Sequence, residues 1–141
     1  MVKGVFYPMS RIFKRSESRG FSMLPLIKNK DILLFSHDSK LKLFDIVIAY
    51  HQKSRKVLCH RIVKFEGKSV VLHGDNSASF FRASAGFEKV PRSGIKGRVF
   101  GIIRNKRVIA GNEFKVRSAI CLILAGIRVL PFLINKHILS S

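Results

Sequence analysis

The chain has 141 residues, 47% of them apolar, and its 27 Lys and Arg against 8 Asp and Glu give a formal charge of +19. That length and apolar content suit one domain with a single core and exclude general disorder. The charge excess calls for an anionic neighbour, lipid or nucleic acid, or else marks a plain solvated basic surface.

Residues 1–13 hold a short apolar stretch broken by Lys3, Gly4, Pro8 and Arg11, which does not read as a secretory signal. Residues 14–19 are polar and charged and read as a loop. From Asp31 onward the text turns to short runs rich in β-branched residues: 32–35, 46–50, 57–63, 69–72, 95–103 and 106–109. Residues 66–68 and 104–106 read as hairpin turns. Many short strands with close turn signals predict a mainly β domain, barrel-like or sandwich-like. Strand alternation places His60 and Ile62 on one face and Arg61 on the other.

Residues 118–134 are different: a continuous apolar run to Ile127, then Arg128, then Pro131. They predict a helix bent or ended near Pro131. The chain therefore divides into a β domain over 1–112 and a C-terminal apolar helical segment over 113–141. The apolar run falls short of the roughly 20 residues a membrane span needs. A helix lying on or partly in a membrane, one packed on the β core, and a span are the three readings. Lys115, Arg117, Arg128 and Lys136 favour anionic headgroups. Cys59 and Cys121 form no C-x-x-C pair and no zinc spacing, so reduced thiols in a cytoplasmic setting are expected.

Two motifs carry chemistry. Gly20-Phe21-Ser22-Met23-Leu24-Pro25 presents a hydroxyl in a tight turn, with Gly20 allowing close backbone approach, Pro25 fixing its own φ, and Met23 and Leu24 available as anchors. His60-Arg61-Ile62-Val63, followed by Gly74-Asp75-Asn76, supplies an imidazole. A serine hydroxyl needs a base within hydrogen-bond reach and donors aimed at the developing oxyanion. A neutral imidazole is available near pH 7 because an ordinary histidine has a pKa of about 6.5. Lys53, Lys56 and Lys64 are alternative bases, provided one is desolvated. The bland readings are a loop serine and a strand histidine.

These motifs resemble those of the type I signal peptidases and their relatives, the S24/S26 serine peptidases, in the branch whose base is histidine. Residues 20–25 match that family's G-x-S-M-x-P. Lys30-Asp31-Ile32-Leu33-Leu34 and Phe44-Asp45-Ile46-Val47 resemble its G-D-I-V segments. Cys59-His60-Arg61-Ile62-Val63 aligns with the segment supplying the base, Gly74-Asp75-Asn76 with the G-D-N turn, and Ile95-Lys96-Gly97-Arg98-Val99 with the closing strand. The resemblance covers residues 20–103. It implies Ser22 as nucleophile, His60 as general base, the Ser22 N–H in the oxyanion hole, and hydrolysis of a peptide or precursor protein through an acyl-enzyme, with no metal or organic cofactor. Asp75 either orients His60 or holds the G-D-N turn.

The chain departs from that pattern. Gly20 stands where many relatives carry a hydroxyl donor, and Ser77-Ala78-Ser79 stands where the histidine branch often carries a further acid. The expected setting is membrane-associated, with the peptidase domain on the cytoplasmic side and an anionic membrane surface as neighbour. Nucleic acid is the less expected partner, although Phe80-Phe81-Arg82 suggests stacking. Other readings are a basic binding module, a degenerate peptidase fold, and a self-cleaving Ser–Lys peptidase.

Overall fold

The computed structural model describes residues 13–20, 22–37, 40–75 and 87–138, with the helix given by its backbone alone from residue 125. Among the described residues eight strands precede one helix: β1 (Phe13–Glu17), β2 (Ile32–Ser36), β3 (Ile46–His51), β4 (Lys56–Glu66), β5 (Ser69–His73), β6 (Phe87–Pro91), β7 (Ile95–Arg104), β8 (Arg107–Ala110) and α1 (Gly111–Ile138). The strands pair antiparallel in the order β1-β2-β7-β3-β4-β5-β6, with β8 added to β7. They make a single sheet curled into a half-barrel, so the fold is mainly β.

The curl has a local cause. Register shifts fall at Leu34/Phe35, Ile48/Ala49 and Ile62/Lys64, and such bulges bend and twist a strand. The sheet buries apolar side chains on both faces, which explains the unbroken run Ile46-Val47-Ile48-Ala49. Ile46 and Ile48 join a cluster with Met23, Leu26, Ile27, Leu33, Phe35, Val99, Ile102 and Phe114. Val47 and Ala49 join the other, with Ile62, Val70, Leu72, Val90 and Ile95. Alternation along a strand sends neighbours to opposite faces, so a strand buried on both sides reads as continuously apolar.

Three expectations change. The polar stretch read as a loop is strand β1, held by β2 over Phe13↔Ser36 to Glu17↔Ile32. It sits at the end of the sheet, where Lys14, Arg15 and Glu17 suit an exposed edge. Strand β6 was not foreseen in the text between 72 and 95. The helix starts at Gly111, well before residue 118, and runs through Pro131 to Ile138. Gly111 has φ 61°, which lets the chain turn out of β8. Glu113 in the first turn then accepts from Arg107 at 2.9 Å and Arg117 at 2.8 Å. The expected hairpin turns are present, with Gly67 at φ 57° and Asn105 and Lys106 at φ 50° and 64°.

The two segments compared with G-D-I-V build the same turn twice. The Lys28 N–H donates to Asp31 Oδ2 at 2.7 Å, and the Lys42 N–H donates to Asp45 Oδ2 at 2.8 Å. Lys30 and Phe44, standing where the pattern has glycine, both sit at φ 70°. An L-residue in that region costs roughly 1–2 kcal/mol, so the turn keeps its shape against local preference. Each aspartate satisfies a turn N–H and launches a core strand.

Candidate active site

The loop from β1 to β2 carries Ser22, and its base is clamped. The Ser18 N–H donates to the Asp31 carbonyl at 2.8 Å, the Lys30 N–H to the Ser18 carbonyl at 2.9 Å, and the Gly20 N–H to Asn29 Oδ1 at 3.2 Å. Arg104 of β7 adds a two-pronged bond to buried Asp31, at 2.9 and 2.6 Å, and donates to the Leu26 carbonyl at 2.9 Å. Met23, Leu26 and Ile27 are buried, so the turn is anchored in the core while Ser22 stays exposed. Pro25 follows a cis peptide bond within that turn. Gly20 has φ 100°, a conformation that any L side chain strains to adopt. The missing hydroxyl two residues before Ser22 is thus tied to the backbone path.

His60 projects from β4 and is mostly buried. Its Nε2 lies 2.9 Å from Ser22 Oγ, and its Nδ1 lies 2.5 Å from Glu88 Oε2 on β6. A carboxylate only accepts, so Nδ1 carries a proton, and in the neutral imidazole the Nε2 lone pair then faces the hydroxyl. Glu88 is the group the sequence reading missed. The resemblance pointed to an acid just after Gly74-Asp75-Asn76; the acid that meets His60 comes from a later strand. Residues 76–86, including Ser77-Ala78-Ser79 and Phe80-Phe81-Arg82, lie outside the described residues.

Asp75 does not meet His60. Arg61, pointing to the opposite face of β4, donates from Nε to Asp75 Oδ1 at 2.7 Å and from Nη2 to Oδ2 at 2.6 Å. Its Nη1 donates to the Phe44 carbonyl at 3.0 Å and to Ser118 Oγ of α1 at 2.9 Å. Both Arg61 and Asp75 are buried. Of the two roles open to Asp75, the contacts favour holding the turn. Gly74 precedes it, and a Cβ there would lie 2.8 Å from the Ser22 carbonyl oxygen, 2.9 Å from Ser22 Cβ and 3.3 Å from His60 Nε2. The Arg61–Asp75 pair therefore fixes a glycine that packs flat against the Ser22–His60 contact.

Burial, and next the nearness of His60, push the His73 imidazole below its ordinary value. The His73 ring lies against Phe87, centroid to centroid at 4.6 Å. Burial, reinforced by Asp75 and opposed by Arg61, pushes the Cys59 thiol up to about 12, so it is no competing nucleophile at neutral pH. Lys64 is engaged by Glu66 at 2.9 Å.

Ser22 and His60 open into a cleft of about 230 Å³, walled by Met23, Leu33, Ile48, Val57 and Leu58, with Ser16 and Glu17 of β1 at its edge. Among the described residues no lysine lines it. A larger groove of about 1020 Å³ lies between α1 and the sheet and includes neither Ser22 nor His60. Among the described residues no cluster of His, Cys, Asp and Glu has the form of a metal site. The smaller cleft thus offers a hydroxyl, an acceptor nitrogen on it, and a carboxylate behind the imidazole. These are the parts that nucleophilic attack on a carbonyl requires.

No curated protein and no solved structure matches this chain. A family model described as Peptidase S24-like matches residues 16–90, more than half of the 141 residues. That stretch runs from β1 into β6 and holds Ser22, His60, Asp75 and Glu88 together. The chain belongs to the peptidase S24-like family, and with it to the peptidase-type enzymes.

Proposed function

We propose that this protein is a serine endopeptidase that cuts a peptide or precursor protein with Ser22 as nucleophile, His60 as general base and Glu88 orienting His60. The observation that carries the reading is the continuous chain Ser22 Oγ–His60 Nε2 at 2.9 Å and His60 Nδ1–Glu88 at 2.5 Å, opening on a cleft. His60 takes the hydroxyl proton through Nε2 as Oγ attacks the scissile carbonyl. It then returns the proton to the leaving amine. Glu88 holds the tautomer and balances the imidazolium that forms, as the acid of a triad does. In this reading the Ser22 N–H serves the developing oxyanion, as the family resemblance implies, and Gly20 supplies no side-chain donor there. The apolar walls and small volume of the cleft favour a small apolar side chain beside the scissile bond.

The histidine-base reading is preferred to a Ser–Lys pair because the nitrogen at Ser22 belongs to His60 and no lysine is among the described residues lining the cleft. A mixture of unstructured peptides incubated with the full chain at neutral pH, read by mass spectrometry, tests the activity. Defined pairs of new termini support it. Peptides left intact, or cut equally by the Ser22→Ala protein, overturn it.

The Gly74 contact gives a finer prediction. Gly74→Ala places a methyl group against the Ser22 backbone, which has no side-chain torsion to relieve the clash. Overpacking of this kind costs about 1–3 kcal/mol. A shift of about 1 Å in a reacting group costs roughly 10²-fold in rate. Peptide cleavage should fall by about that factor while thermal unfolding still shows a cooperative transition.

A further inference from the structure

Helix α1 has two apolar faces, and the sheet uses one of them. Phe114 and Cys121 are buried, and Ser118 between them binds Arg61. Val116, Ile120, Ile123 and Leu124 are exposed, at 59%, 52%, 62% and 45%. At about 100° per residue they fall within a sector roughly 100° wide on the opposite side of the helix. Four large apolar side chains in one exposed stripe are more than scattered surface hydrophobics.

The flanks of the stripe say what covers it. Lys115 lies to one side and Arg117 to the other, and both are exposed. The one acid of the first turns, Glu113, is held by Arg107 and Arg117. From residue 114 to 141 the sequence has no Asp or Glu, but it has Lys115, Arg117, Arg128 and Lys136. A second copy of this chain is a poor occupant, because pairing the stripes would press the same cations together between two chains of charge +19. Nucleic acid would satisfy the cations and leave the stripe in water. A bilayer with anionic headgroups satisfies both, taking apolar side chains into the acyl boundary and cations at the phosphates. Among the described residues no helix is long and apolar enough to cross a membrane, and seating on the surface needs no crossing.

We propose that the exposed face of α1, built on Val116, Ile120, Ile123 and Leu124 and flanked by Lys115 and Arg117, seats the protein on an anionic lipid surface. This stands apart from the catalytic reading, since none of these residues touches the Ser22 cleft.

The test is co-sedimentation of the full chain with vesicles of phosphatidylcholine alone and of phosphatidylcholine mixed equally with phosphatidylglycerol. The protein should pellet with the mixed vesicles at low salt and stay in solution with phosphatidylcholine alone. Ile120→Gln with Ile123→Gln leaves the net charge unchanged and removes exposed side chains only. It should lower partitioning about tenfold or more, given the apolar area it withdraws from the bilayer. Val116→Gln with Leu124→Gln, the other half of the stripe, should do the same. Circular dichroism matching the parent shows that either protein is folded. Three results would overturn the proposal: no pelleting with the mixed vesicles, variants that partition like the parent because bare charge suffices, or a dimer in sedimentation velocity that the variants separate.

Discussion

Replacing Ser22 or His60 by alanine should each lower kcat by about 10⁴–10⁶-fold, and the double replacement should be scarcely worse than either alone. The reason lies in the shared proton. Without His60 the hydroxyl loses the nitrogen that lies 2.9 Å from it; without Ser22 the imidazole has nothing to activate. Groups that act as one unit lose nearly everything when either is removed, so their effects do not add. Glu88→Gln should cost about 10²–10⁴-fold with a folded protein and nearly unchanged KM. The amide keeps the shape but can offer its NH₂ to Nδ1, which favours the wrong tautomer. Acid should abolish the parent rate, because a protonated imidazole has no lone pair at Nε2. Steady-state cleavage of a peptide across pH by the parent and its four variants checks the set.

Removing Asp75 should be the most damaging change to stability among the polar residues around the site. Asp75→Ala leaves the Arg61 guanidinium buried with two acceptors, the Phe44 carbonyl and Ser118 Oγ, and no countercharge. Breaking a buried pair from one side costs about 3–5 kcal/mol. Arg61→Met with Asp75→Leu removes both charges and fills the space, and it should recover much of that loss. The recovery separates the two roles that sequence left open for Asp75. If it only holds the turn, the double variant regains both stability and cleavage, limited by how well Gly74 stays in place. Denaturant unfolding of the single and double variants, with their cleavage rates, gives the measurement. A single variant within about 0.5 kcal/mol of the parent would remove the pair from the account.

Much of this was legible in the text of the chain, and the gaps have physical causes. Ser22 and His60 stood out because each lies in a motif whose spacing dictates a turn or a strand. Strand alternation alone put Arg61 on the face away from His60, where it meets Asp75. Glu88 left no such mark. In Phe87-Glu88-Lys89-Val90-Pro91 four of the five residues are charged or exposed, the run ends in proline, and Val90 is its single buried side chain. Its reach to His60 depends on pairing β6 with β5 in the register Leu72↔Glu88, which no local pattern encodes. Strand β1 was hidden for a related reason, since an edge strand gains its hydrogen bonds from one neighbour and can stay polar. Lys30 and Phe44 show the limit from the other side: only their partners Asp31 and Asp45 reveal that a glycine-like turn persists without glycine.

The helix was foreseen in kind and misplaced in extent. Its start answers to Gly111 and the sheet-facing Phe114, not to the apolar run alone.

The central claim is that Ser22 is activated by His60. Treatment of the folded protein with a fluorophosphonate, which phosphonylates an activated serine, followed by peptide mapping by mass spectrometry, tests it most directly. The account predicts a single adduct on Ser22 that disappears in His60→Ala. An unmodified Ser22, or an adduct that forms as fast without His60, would contradict it.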